Sequence, residues 1–402
     1  MNRLILAVAA LGLVLGSVSL SQGGPILIGA PFELTGDQAA FGTIELDAVR
    51  FANELRPTVL GRSVEIVAVD TASSASESSN VTQRLIDQGV VALVGWCCSR
   101  GAIPAAEVAQ AAGVVSISVT STNPQTTLVG EGDPRGSFSF RVDFIDPQQG
   151  GAGADFVFNT LGGRRVLVVR QIGDAYSFGL TEFFTNRFIQ LGGEVNIQDV
   201  NEGQTDFSAQ VAALQAFNPD VVYSSAFPPQ SGPFIRQARD GGYTGPFAGG
   251  DAILSQQTVD LAGADAILTA EGTANVFATS PVGAADVGSP EAQAFLQAWQ
   301  ARFGDNPDPF ETLGFDAYNV VIQAIENIGP AFNERSLAEQ RVAIRDALLA
   351  TENFPGASGS ITFVDTDGTP RNRVLGVFRM DLDAEGKLVS GGLGTLVATA
   401  GG

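Results

Sequence analysis

The feature that most constrains this chain is an alternation of short apolar strands with amphipathic helices, which begins at Ile26. Residues 26–30 read as a strand, and the segment after them sets Ile44, Ala48, Phe51, Ala52 and Leu55 at helical spacing. Further strands are expected at 64–70, 90–94 and 114–119, with Gly89 and Gly113 stopping the helices before the last two, the second of which is expected to start near Ile103-Pro104. Four such steps predict a doubly wound parallel sheet. Right-handed crossovers then bring all four strand carboxyl ends to one edge, where sheets of this kind bind their ligands.

A strand at 138–142 and a junction at 143–153 separate this unit from a second one. The alternation restarts with strands at 166–170, 195–200, 221–224 and 247–251, so the fold class is α/β with a second lobe that has its own sheet. Two domains also suit 402 residues. Beyond residue 277 the pattern turns helical, at 291–303, 310–328 and 337–350. The chain closes with strands at 360–364 and 374–380, read as a hairpin around Asp365-Thr366-Asp367-Gly368. That turn lacks the rest of a calcium-loop ligand set and is read as a turn.

Composition removes whole classes of function. The chain has no histidine, which excludes Ser-His-Asp triads, Cys-His pairs and histidine-ligated zinc. It carries no phosphate-loop motif, so an enzyme is not expected, nor a cofactor. A formal charge of −21 argues against nucleic acid and anionic membranes as partners. The N-terminus has the form of a signal peptide over residues 1–21. Arg3 is its basic residue, 4–15 its apolar run, and Ser17, Ser19 and Ser21 offer small residues for cleavage. The junction has no cysteine for a lipid anchor, and no other segment reaches about 18 uninterrupted apolar residues. The mature chain is expected to be a soluble periplasmic protein.

Candidate site residues lie in the strand-to-helix loops. Ser99, Thr120 and Thr122 follow adjacent strands, where hydroxyls and free N–H groups can hold a carboxylate, or simply cap helices and turns. Asp251 follows Gly249-Gly250 in the second unit and suits either an ammonium partner or an N-cap. Phe41, Trp96, Tyr176 and Phe227 occupy corresponding loops, as pocket-lining or as packing residues. Cys97 and Cys98 are the only cysteines. Their adjacency fits neither a metal site nor a redox motif, and leaves a vicinal disulfide, two buried thiols or an interchain bond.

Taken together these residues resemble the branched-chain amino acid-binding proteins of bacterial ABC transporters, the type I periplasmic binding proteins. The resemblance runs from Ile26 to about Met380 and rests on order and spacing. It is carried by Ile28-Gly29, Leu34-Thr35-Gly36, Phe41-Gly42, Val94-Gly95 with Cys98-Ser99, and Pro124. Further on it is carried by Tyr176-Ser177-Phe178-Gly179, Asp206-Phe207-Ser208, 235–239 and Phe315-Asp316-Ala317-Tyr318.

The resemblance implies two Rossmann-like doubly wound lobes joined by three crossovers that close like a hinged trap. With crossovers near Asp143, Phe277 and Ala357, lobe 1 would comprise 24–143 plus 277–356, and lobe 2 would comprise 144–276 plus 357–402. It implies that Ser99, Thr120 and Thr122 bind a ligand carboxylate, with Tyr176 and Asp251 on the ammonium. Asp251 stands where glutamate is usual in the family. Phe41 and Phe227 stand where amino acid binders often have tyrosine, which makes the pocket more apolar. The family's customary disulfide is absent, because the loop Asp70-Thr71-Ala72-Ser73-Ser74 has no cysteine. The function implied is capture of a small, aliphatic amino acid by a monomer and its delivery to a permease. An amide, urea or aromatic acid as ligand, and a sensor role with a separate receptor, are the alternatives.

Overall fold

In a computed structural model, the structure describes residues 23–389 and 394–400, so the expected signal peptide lies outside the described residues. Six strands form the first sheet: β1 (Ile26–Phe32), β2 (Thr58–Val59), β3 (Arg62–Asp70), β4 (Ala92–Gly95), β5 (Val115–Ser118) and β6 (Ser139–Arg141). Their order is β2-β3-β1-β4-β5-β6, parallel except for the short β2. The second sheet contains β7 (Arg165–Gln171), β8 (Glu194–Val200), β9 (Val221–Ser224), β10 (Phe247–Gly249) and β11 (Val276–Pro281). A small hairpin, β12 (Phe354–Gly356) with β13 (Gly359–Ile361), precedes β14 (Leu375–Arg379) and β15 (Thr395–Ala400). The second sheet runs β15-β14-β11-β10-β9-β7-β8, with β14 and β15 antiparallel.

Both sheets are covered on both faces, which is why central strands such as Ala92–Gly95 read as unbroken runs of buried residues. In the first lobe Ile28, Val94 and Ile117 pack under α1 (Ala39–Leu55) and the helix Pro309–Ile328. Leu85, Leu93 and Ala105 pack on the other face under α2 (Ala75–Asp87) and α3 (Ser99–Ala112). In the second lobe β7 divides by its two-residue period: Leu167 and Val169 enter one core, Val166 and Val168 the other. Among the described residues no helix is long and apolar enough to cross a membrane.

Four expectations need correction. First, α3 begins at Ser99 rather than near Ile103-Pro104. Pro104 suggested a first turn, but it lies inside the helix, where it removes one backbone donor. Second, the junction at 143–153 is mostly helical: after α4 (Gln125–Leu128), α5 (Asp146–Asn159) starts with proline in its first turn. Third, the closing hairpin does not form. Ile361 pairs back to Phe354 and is buried with Phe363 in the first-lobe core, while β14 joins β11 and β15. Fourth, two lobe crossings come later than expected. β11 still belongs to the second sheet, so the chain leaves it after Pro281 rather than near Phe277. It stays on the first lobe past Ala357 as far as Gly368, whose carbonyl accepts from Arg141 N on edge strand β6 (3.0 Å). Burial of Ile361 and Phe363 holds it there.

Candidate functional site

A cavity lies in the cleft between the lobes, with about 290 Å³ of empty space that is partly open to solvent. Phe41, Cys97, Cys98, Ser99, Thr120 and Phe310 line it from the first lobe. Tyr176, Phe227, Asp251 and Ala252 line it from the second.

The turn after β4 aims the first wall. Gly95 passes so close to β1 that a side chain there would meet Pro31 O at 2.1 Å. Trp96 N then donates to that same oxygen (2.9 Å), and Trp96 takes a left-handed backbone with φ 56°. This turn puts the indole into the core with Leu85, Leu93 and Ala105, away from the cavity. Trp96 is therefore a packing residue, and its expected place on the ligand site is corrected.

Cys97 and Cys98 are free thiols, both buried, so the vicinal bridge is not formed. Cys97 is fixed by its neighbours: its N–H donates to Glu33 Oε2 (3.0 Å) and its Sγ lies 3.9 Å from Gln38 O. Cys98 is the extended N-cap of α3, in a backbone conformation that turns successive side chains apart. Burial pushes both thiols above their ordinary range, and Glu33 and Glu45 add to it, so both stay protonated and unreactive.

Ser99 is the first residue of α3, and Cys98 supplies no side-chain cap. The first N–H groups of the helix are thus left at the cleft with the positive end of the helix dipole. Ser99 Oγ accepts from Ser121 Oγ (2.9 Å) and from Asn123 N (3.3 Å). Two accepted bonds orient the hydroxyl and leave its own proton to be donated.

Thr120 is used differently. Its Oγ1 lies 2.5 Å from Glu45 Oε1 and 2.9 Å from Cys97 O. A hydroxyl has one proton, which the two acceptors share. Burial pushes Glu45 well above the carboxylate range, with Glu33, Asp308 and Asp143 adding to it. The Thr120 hydroxyl donates to the Glu45 carboxyl, and that bond lowers what burial raises. The hydroxyl lines the cavity while bracing the loop. Thr122 does not reach the cavity: its hydroxyl stands beside Asp146 at the start of α5, and its carbonyl accepts from Asp146 N (2.9 Å).

On the second wall Tyr176 lies in the first turn of α6 (Ala175–Gln190) and donates to Asp251 Oδ1 (2.6 Å). Ala252 N donates to the same oxygen (3.0 Å). A side chain at Gly250 would meet Tyr176 Oη at 2.1 Å, so that glycine makes room for the pair. Burial raises the Asp251 carboxyl, against hydrogen bonds from Tyr176 and Gln149 that lower it.

Between the walls Phe41 meets Phe310 and Phe227 edge to face, and Phe227 meets Tyr176 at a tilt. Phe41 lies 5.3 Å from Phe310 and 6.3 Å from Phe227, and Phe227 lies 5.6 Å from Tyr176. The structure thus brings together Phe41, Ser99, Thr120, Tyr176, Phe227 and Asp251. Sequence reasoning missed Phe310, Glu33 and Glu45. Glu45 sits one helical turn after Phe41 in α1, and that spacing was its signal. Phe310 had none, since only the return of Pro309–Ile328 to the first lobe places it at the cleft.

A periplasmic binding protein family model matches residues 25–386. The chain belongs to the periplasmic binding protein family. An amino acid binding protein of Pseudomonas aeruginosa is 30% identical over 313 residues, 77% of this chain and 78% of the relative. Among solved structures, this binding protein is similar to the leucine binding protein LivK of Thermotoga maritima. That match has TM-score 0.81 and 32% identity, over 93% of this chain and 98% of the other. It is also similar to LivJ of Streptococcus pneumoniae, solved with isoleucine (TM-score 0.78, 26% identity, 91% and 98% covered). Its two sheets are the two lobes of that fold, and it is a solute-binding protein of the branched-chain amino acid transporter family rather than an enzyme.

Proposed function

We propose that this binding protein captures a small α-amino acid with an aliphatic side chain and delivers it, as a monomer, to the permease of an ABC transporter. One observation carries the reading. The cavity holds a single carboxylate, Asp251, on one wall, an uncapped helix start with a free serine proton on the other, and phenylalanines between. A zwitterion with an apolar side chain matches all three. Its carboxylate would dock on Ser99 and the first N–H groups of α3. Its ammonium would pair with Asp251, held by Tyr176. Phe41, Phe227 and Phe310 would enclose the side chain. The names of the relatives support this choice, since LivJ was solved with isoleucine.

Closure contributes by excluding water. A buried pair gains over a solvated one only where every hydrogen bond is completed, and the Tyr176 and Ala252 donors already complete those of Asp251 Oδ1. Thermal-shift titration tests the reading. Leucine, isoleucine and valine should raise the melting temperature, and 4-methylpentanoate, which is leucine without its amine, should not. An equal rise with 4-methylpentanoate, or a rise with benzoate or urea alone, would overturn it.

A further inference from the structure

We propose that Arg100 is a positioning residue, a latch that joins the two lobes outside the cavity and sets how long the ligand is retained. The inference rests on reading the cleft as a ligand trap. Arg100 follows Ser99 in the first turn of α3 but does not line the cavity. Its Nη1 and Nη2 face Asp37 of its own lobe at 3.3 and 3.2 Å, and Nη1 also donates to Ser73 O (3.2 Å). That fork holds the guanidinium flat and leaves Nε for the other lobe, where it donates to Asp174 Oδ2 (3.1 Å). Glu202 Oε2, also on the second lobe, lies 3.0 Å from Nη1.

The partner matters as much as the bond. Asp174 is the N-cap of α6, and its Oδ1 accepts from Ser177 N (2.8 Å). The Arg100–Asp174 pair therefore ties the helix start that carries Ser99 to the helix start that carries Tyr176. Three bonds from side-chain amides accompany it across the seam: Gln38 Nε2 to Asp174 Oδ2 (3.3 Å), Gln171 Nε2 to Asp37 Oδ2 (3.0 Å) and Asn123 Nδ2 to Ala175 O (2.9 Å).

One cation faces three carboxylates here, and two of them are hidden: the Asp37 side chain is 6% exposed and that of Asp174 0%. Without Arg100, closing the lobes would press two carboxylates together away from water, which costs far more than losing a surface ion pair. The open form, in which water reaches both, would then be favoured. Glu202 is 56% exposed and screened by salt, so its share is small.

The test uses small-angle scattering of the full mature chain and stopped-flow release of leucine. Arg100→Ala should enlarge the radius of gyration and speed leucine release by at least about tenfold, with the association rate nearly unchanged. Asp174→Asn keeps a capping oxygen for Ser177 and should act in the same direction, which guards against a variant that fails to fold. Arg100→Ala combined with Asp174→Asn should recover part of the compactness lost by Arg100→Ala alone, because the repulsion is gone. Glu202→Gln should change release by less than about twofold, and by nothing at high salt. Unchanged dimensions and release rate in folded Arg100→Ala and Asp174→Asn would overturn the latch, even if melting temperatures fell. Should leucine not bind the natural chain, the function proposed above fails while scattering still decides the latch.

Discussion

On the first-lobe wall of the cleft the polar groups are neutral. Ser99 offers a hydroxyl proton, α3 offers N–H groups, and the acids behind them, Glu33 and Glu45, are buried and raised toward the protonated form. On the second-lobe wall the polar group is a carboxyl, Asp251, held by a tyrosine. A wall of dipoles keeps its arrangement whether the cleft is open or closed, since no counterion has to be shed. A wall that presents a carboxylate gains most once water is excluded. Under the proposed function, the contrast gives an order of events: docking on the first lobe, then commitment as the second lobe closes.

The largest way to break this contrast is Asp251→Asn, which keeps the shape and removes the charge. Leucine affinity by calorimetry should fall by at least about 100-fold, or about 3 kcal/mol, because a buried ammonium loses its counterion. A loss below tenfold would mean that the second wall binds by shape and not by charge. Ser99→Ala removes one donor among several on the other wall. A fall of about tenfold is expected, with binding still detectable. A loss as large as that of Asp251→Asn would erase the distinction between dipolar and charged walls.

The smallest effect on binding and the clearest on stability belongs to Glu33→Gln. Burial raises the Glu33 carboxyl from 4.5 to about 7, against the bond it accepts from Cys97 N. Between those values the folded chain holds a proton that the unfolded chain has released, so stability falls as pH rises through that window. The loss approaches about 3 kcal/mol above pH 7, at 1.36 kcal/mol per pH unit. The glutamine variant cannot lose that proton. Its melting temperature should decline less than that of the natural chain between pH 4.5 and 8, with leucine affinity unchanged within about twofold. Parallel melting curves would place Glu33 as a carboxylate and sharpen the first wall into a charged one.

Much of the fold was legible because alternating strands and helices carry local signals: runs such as Ala92–Gly95, and stops at Gly89 and Gly113. Ser99, Tyr176 and Asp251 were legible as residues that would meet at the cleft because a parallel sheet brings strand carboxyl ends to one edge. Trp96 was misplaced, since a left-handed backbone at one residue reverses where a side chain goes. Thr122 was misplaced by the turn into α5, which brings its hydroxyl to Asp146. The segment 354–380 was misread because its two halves obey different cores. Ile361 and Phe363 bury in the first lobe, and Phe378 and Met380 in the second.

What the sequence by itself determined was the set of local elements, the two-lobe α/β class and the loops that meet at the cleft, because periodicity and turn chemistry act over a few residues. What only the tertiary structure decided was which groups face one another across long separations. Phe310 against Phe41, Glu45 against Thr120 and Arg100 against Asp174 each join residues 74 or more apart in the chain. No local propensity encodes such pairs. They form because burying two apolar cores returns the helical region to the first lobe and presses the two helix starts together, and the upward shift of the Glu33 and Glu45 carboxyls behind the cleft follows from that burial.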